Sequence, residues 1–133
     1  MLTRRAFAAC ALCAAATGLV ATGAEAAPPP GFKRTILRRT EFPGDRYVTL
    51  LVSIEIEPDA FVAWHTHPGV ESSYVMSGGG TLQMRGRPDQ AIAPGDGFQI
   101  PVELPHAVRN GKEVTRLIVN YVVEKDKPLA SPA

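Results

Sequence analysis

An all-β domain, a barrel or sandwich of short antiparallel strands, is what the sequence predicts, and three observations predict it. Two long runs alternate apolar and polar residues with a period of two. Shorter apolar runs follow one another at close intervals, separated by breaks that contain Gly or Pro. No stretch repeats its apolar residues at the spacing of a helix face, so units alternating strand with helix are not expected.

The elements can be justified in chain order. Residues 1–26 have a basic start, an Ala-rich apolar middle and a small-residue end at Ala24-Glu25-Ala26. That layout is the form of an export signal, cleaved after Ala26. Its middle is short and weakly hydrophobic, so no permanent membrane span is expected in the mature form. Thr3-Arg4-Arg5-Ala6-Phe7 is similar to a twin-arginine signal, a route that carries folded proteins; an ordinary secretory signal holding two arginines is the alternative. Either route implies a periplasmic or secreted protein. Residues 27–33, with three consecutive prolines, read as a stiff extended leader, 34–124 as the folded domain, and 125–133 as a loose tail.

Within the domain, the charge-rich run GFKRTILRRTEF reads as a solvated edge strand. YVTLLVSIEIEP puts Val48, Leu50, Val52, Ile54 and Ile56 on one face and Thr49, Ser53, Glu55 and Glu57 on the other. FVAWHTH, ESSYVMS, TLQMRG, DQAIA, GFQIP and HAVRN are short strands. TRLIVNYVV closes the series, with Leu117, Val119, Tyr121 and Val123 sharing a face. The breaks between these runs are turn formers: Pro58-Asp59, Pro68-Gly69, Gly78-Gly79-Gly80, Pro94-Gly95 and Asn110-Gly111.

Composition narrows the chemistry. Removing the signal leaves 107 residues, enough for one modest core, with 12 basic and 12 acidic side chains. A net charge of zero without a basic stripe excludes nucleic acid as the expected partner. Cys10 and Cys13 both lie in the signal, so the mature chain has neither disulfide nor thiolate. Any metal must be held by nitrogen and oxygen.

The chain has only three histidines, and two of them, His65 and His67, stand one residue apart. On a strand they share a face, with Phe61 and Ala63, while Trp64 points away. The Pro68-Gly69 corner can then return Glu71 towards them, with Ser73 and Val75 on its side and Tyr74 opposite. The third, His106, lies on a late strand that an antiparallel sheet could bring to the same place. Two imidazoles and a carboxylate suit a divalent ion that keeps open positions. A metal-free polar network is the alternative, provided every buried group finds a partner. The aromatic residues Trp64, Phe61, Tyr74, Phe98 and Tyr121 read mainly as core or subunit contacts. Arg109 should face outward, and Asn110, before Gly111, should cap a turn.

Two spaced motifs resemble those of the cupin superfamily in its small single-domain form. The first, G-x5-H-x-H-x3,4-E-x6-G, is matched by His65, His67, Glu71 and Gly78, with Asp59 at the first Gly. The second, G-x5-P-x-G-x2-H-x3-N, is matched by Gly95, Pro101, His106 and Asn110, with Glu103 at the middle Gly. Asp tolerates the turn geometry that Gly supplies. Glu103 should either change the turn type or place a carboxylate at the mouth of the site.

The resemblance implies an antiparallel jelly-roll barrel, a double-stranded β-helix. It also implies one divalent transition metal on His65, His67, Glu71 and His106. Loading before export favours Fe(II) or Mn(II); Ni(II), Cu(II) and Zn(II) also suit these donors. The function implied is that of a metal-dependent oxidoreductase of the dioxygenase type, acting on a small oxygen-bearing organic substrate. With all three histidines spent on the metal, no separate general base remains. The other reading is a non-catalytic periplasmic module that binds or senses a metal or small ligand. Small cupins often pair, so the resemblance leaves room for a homodimer without fixing it.

Overall fold

The computed structural model describes residues 28–133, so the expected export signal at 1–26, with its two cysteines, lies outside the described residues. Pro29 and Phe32 close a tight turn by a 3.1 Å backbone hydrogen bond, with Pro30 and Gly31 at its centre. Gly31 has φ 75°, the sign a type II turn demands at its third residue. The prolines therefore end in a turn, and the extended leader stops short of the expected boundary. The first strand begins at Phe32.

Ten strands follow: β1 (Phe32–Glu41), β2 (Tyr47–Ile56), β3 (Phe61–Thr66), β4 (Gly69–Ser77), β5 (Gly80–Met84), β6 (Gln90–Ile92), β7 (Gly97–Ile100), β8 (His106–Asn110), β9 (Thr115–Glu124) and β10 (Ser131–Pro132). They form two five-stranded sheets, ordered β1-β2-β9-β4-β7 and β10-β3-β8-β5-β6, and every pairing is antiparallel. There is no helix among the described residues. The two sheets close face to face as a double-stranded β-helix.

The alternation of β2 and β9 explains the core. Val48, Leu50, Val52, Ile54 and Ile56 are all buried, as are Leu117, Val119, Tyr121 and Val123. They meet Val75, Leu82, Ile92, Phe98, Ile100 and Val108 from the other strands. β1 takes the outer edge of the first sheet, mostly exposed, with its register shifted between Ile36 and Arg38. β3 lies in one sheet and β4 in the other, so Pro68 and Gly69 carry the chain across the barrel. Gly69 is obligatory there: a Cβ would lie 2.0 Å from the carbonyl oxygen of Val122.

Residues 125–133 depart from the loose tail expected of them. Leu129 is buried in the core, and β10 pairs with β3 at Ser131–Thr66 and Pro132–His65. One apolar side chain and a free strand edge supply what the polar composition of this segment lacks.

Candidate metal centre

β3 and β8 pair antiparallel with His65 directly opposite His106, so two imidazoles from distant parts of the chain stand side by side. His67 follows just after β3, at the corner, and Glu71 lies early on β4 in the facing sheet. The structure thus brings together all four residues that the sequence singled out. One ligand atom from each histidine lies within 4.8 Å of the others. Glu71 Oε2 is 2.9 Å from His67 Nε2 and 3.6 Å from His106 Nε2.

The parity expectation for the start of β3 needs correcting. Phe61 pairs with Arg109 and Val62 with Val108, but the register then shifts before His65 meets His106. One extra residue on β3 makes a bulge, and a bulge reverses which face each residue takes. Val62, not Phe61 or Ala63, therefore faces inward with His65. Phe61 is exposed, and the Arg109 guanidinium lies 5.0 Å from its ring. On β4 the parity holds: Ser73 and Val75 are buried and Tyr74 is exposed.

Each imidazole is fixed by a backbone carbonyl. His65 Nδ1 donates to Ala63 O at 2.7 Å, His106 Nδ1 to Leu104 O at 2.9 Å, and His67 Nδ1 to Leu129 O at 2.6 Å. A carbonyl only accepts, so each Nδ1 carries a proton, and a ring in its neutral form presents a lone pair at Nε2. Ser73 Oγ donates to Glu71 Oε1 at 2.7 Å, leaving Oε2 towards the histidines. Three imidazole nitrogens and a carboxylate oxygen thus converge on one buried point. His67 Nε2 is buried, and Glu71 Oε2 is the polar atom placed against it.

Burial, then the neighbouring His106, hold His65 down to about 4, so it stays neutral near pH 7. Burial pushes the Glu71 carboxyl up, but its polar contacts with His106 and His67 outweigh that and leave it well below the usual range. A neutral imidazole beside an ionised carboxylate is the donor set of a divalent cation, and one ion would satisfy every converging atom at once. The residues fit the metal that their pattern implies.

His65, Glu71 and His106 open on a small chamber of about 30 Å³. Ile54, Ile56, Val62, Leu82, Phe98 and Leu117 are among its walls, and Tyr121 is its one phenol. The Tyr121 ring lies 4.8 Å from that of His67. Burial, and next the Glu71 charge, raise its hydroxyl well above the usual range, so it stays protonated.

The two departures from the motif glycines keep the backbone that glycine would adopt. Asp59 has φ 59° and Glu103 φ 55°. The Glu103 amide donates to the His67 carbonyl at 3.0 Å, which holds the turn against the corner. Its side chain lines an outer cleft beside Arg46 and Lys127 and is not among the chamber walls, so neither alternative expected for it holds. Asn110 does cap: its amide donates to the carbonyls of Ile56, Glu57 and Glu113, and its oxygen accepts from Thr115 Oγ1 at 2.6 Å.

Residues 52–121 match the model of the cupin domain family. The chain belongs to the cupins. Solved structures share the fold at low identity. The DMSP lyase DddQ from Ruegeria pomeroyi DSS-3 is 22% identical with a TM-score of 0.63, over 77% of this chain and 51% of that one. The polyketide cyclase RemF from Streptomyces resistomycificus is 23% identical with a TM-score of 0.61, over 78% of this chain and 72% of that one. An oxalate oxidase in complex with the substrate analogue glycolate is 22% identical with a TM-score of 0.55, over 62% and 45%. This cupin spans about half the length of the Ruegeria lyase. No curated protein matches it by sequence.

What sequence reasoning missed at the site is Val62 and the Leu129 carbonyl. Nothing local marks the bulge. The lone Leu in KDKPLASPA was the available sign that this segment packs.

Proposed function

We propose that this cupin is an exported metal-dependent oxidoreductase of the dioxygenase type, acting on a small oxygen-bearing organic substrate. One observation carries the reading: the three imidazoles offer ligand atoms within 4.8 Å of one another, buried, with Glu71 Oε2 2.9 Å from His67 Nε2 and 3.6 Å from His106 Nε2. His65, His67, His106 and Glu71 would hold the ion, Fe(II) or Mn(II) in the proposal, with Ni(II), Cu(II) and Zn(II) the competitors to test. When bound, such an ion offers open positions that polarise a small oxygen ligand or pair it with dioxygen.

The chain's own residues supply the rest. Ser73 orients Glu71, the three carbonyls orient the rings, and the apolar walls exclude bulk water. Tyr121 presents a protonated hydroxyl at the chamber. Residues 1–26 would direct export by the twin-arginine route, and replacing Arg4 and Arg5 by Lys should then block delivery to the periplasm. Exposed Ile36 and Leu37 on edge strand β1 suit a homodimer, which sedimentation of the purified protein tests.

The reading is tested by metal analysis of the purified protein, followed by oxygen uptake with phenolic, diketone and thiol substrates. One equivalent of metal and oxygen consumption with one class supports it. A second reading, the non-catalytic binding module, is favoured by the size of the chamber, which has room for about two waters. Tight metal binding without any turnover would establish that module in place of the enzyme.

A further inference from the structure

The three histidines are not held alike. His65 and His106 each donate to the carbonyl two residues earlier, on their own segment of chain. Their orientation is a local property of β3 and β8. His67 instead donates to the carbonyl of Leu129, 62 residues away, and this 2.6 Å bond is buried. It is also the histidine whose Nε2 stands nearest Glu71, 2.9 Å from Oε2.

Residues 125–133 deliver that carbonyl by three attachments. At the start, the Lys125 amide donates to Arg46 O at 2.8 Å and Lys127 pairs with Glu124. In the middle, the Leu129 side chain enters the core with 7% exposure. Beyond it, β10 lies along the free edge of β3, and the Ala133 amide donates to Trp64 O at 3.1 Å. The segment meets the site side chains through the Leu129 carbonyl, and Pro132 stands opposite His65 in the ladder. The segment is not among the chamber walls.

We propose that residues 125–133 act as a latch that positions His67, by fixing its proton on Nδ1 and its ring plane, so that Nε2 presents a lone pair to the metal. This rests on the metal reading of the site. Without the Leu129 carbonyl, the His67 ring is free to flip or to place its proton on Nε2, where it would donate to Glu71 and block coordination. Outer hydrogen bonds to ligating imidazoles commonly change metal affinity by roughly 10–100-fold. The coupling is reciprocal: if the latch favours the ion, the ion must tighten the latch by the same factor.

Co(II) is a suitable probe, because its visible absorption reports the ligand set as well as occupancy. Leu129→Ala loosens the anchor and leaves every ligand in place. Ile92→Ala removes a similar buried side chain at the far edge of the same sheet, away from the chamber. Leu129→Ala should weaken Co(II) binding about tenfold or more and alter its spectrum. Ile92→Ala should lose comparable thermal stability and bind Co(II) as wild type does. In the intact protein, amide hydrogen exchange across residues 129–133 should slow when Co(II) is added. That measurement needs no variant and stands if Leu129→Ala does not fold. Equal affinity and spectrum in Leu129→Ala, or exchange in 129–133 indifferent to Co(II), overturns the latch while leaving the metal centre intact. A wild type that takes up no Co(II) overturns the metal centre, and the latch with it.

Discussion

Two strand pairs of this barrel are built from similar residues and behave differently. β2 and β9 pair without a break from Tyr47–Glu124 to Ile56–Thr115. β3 and β8 keep only Phe61–Arg109, Val62–Val108 and His65–His106, with a shift before the last. The regular pair carries apolar side chains inward along its whole length and holds the core. The irregular pair carries two of the four candidate ligands. A bulge costs ladder hydrogen bonds and re-aims side chains, which is useful only where a side chain must point somewhere special. Stability and chemistry are thus divided between the sheets' regular and irregular parts.

The division can be broken at either end. The largest expected effect is on the irregular pair: His106→Ala should abolish stoichiometric metal uptake while the metal-free protein still folds. It removes one of several converging lone pairs and leaves the β2–β9 core untouched. Elemental analysis beside circular dichroism checks it, and retained stoichiometric metal would defeat the assignment. Next comes the regular pair. Leu50→Ala should cost about 2–5 kcal/mol in urea unfolding, with metal affinity preserved in the folded fraction. A lost site in a well-folded Leu50→Ala protein would show that core and centre are not separable.

Acid sharpens the contrast more gently. His65 is held at about 4 in the folded chain, by burial and then by His106, and Glu71 is also held low. The unfolded chain therefore takes up protons first as pH falls, and these groups favour the folded state less and less. Stability of the metal-free protein should decline below about pH 6.5, from His65, and further below the usual carboxylate range, from Glu71. Urea midpoints at pH 7.5, 5.5 and 4.5 measure it; a flat profile would mean that these groups take up protons in the folded chain as they do in the unfolded one. His106→Ala should shallow the decline, and Leu50→Ala should leave its shape alone.

The smallest effect lies at the turn before β8. Glu103 sits at φ 55°, where an L-residue is strained by roughly 1 kcal/mol. Glu103→Gly should therefore raise the unfolding midpoint slightly and leave metal uptake unchanged, because the bond to the His67 carbonyl is made by its backbone amide. Asp59→Gly should gain less, since Asp59 also pairs with Lys112 at 2.8 Å. A loss of metal in Glu103→Gly would mean that the side chain, not the backbone, serves the site.

Much of this was legible in the residue order. Alternation with a period of two is a local property, so β2 and β9, their buried faces and the exposure of Tyr74 on β4 followed from reading along the chain. The candidate ligands were legible as well, because only imidazole and carboxylate offer the donors and their spacing singles them out. Register and long-range packing are different in kind. The bulge that turned Val62 inward depends on how β3 matches β8, an energy shared between residues more than 40 positions apart. The attachment of residues 125–133 likewise depends on a free edge and a vacancy in the core that exist only once the barrel has closed. Composition along the chain set which atoms could bind and which faces would be buried. Closure of the two sheets decided where those atoms meet and what holds His67 in place, because both are sums over contacts that no short stretch of sequence contains.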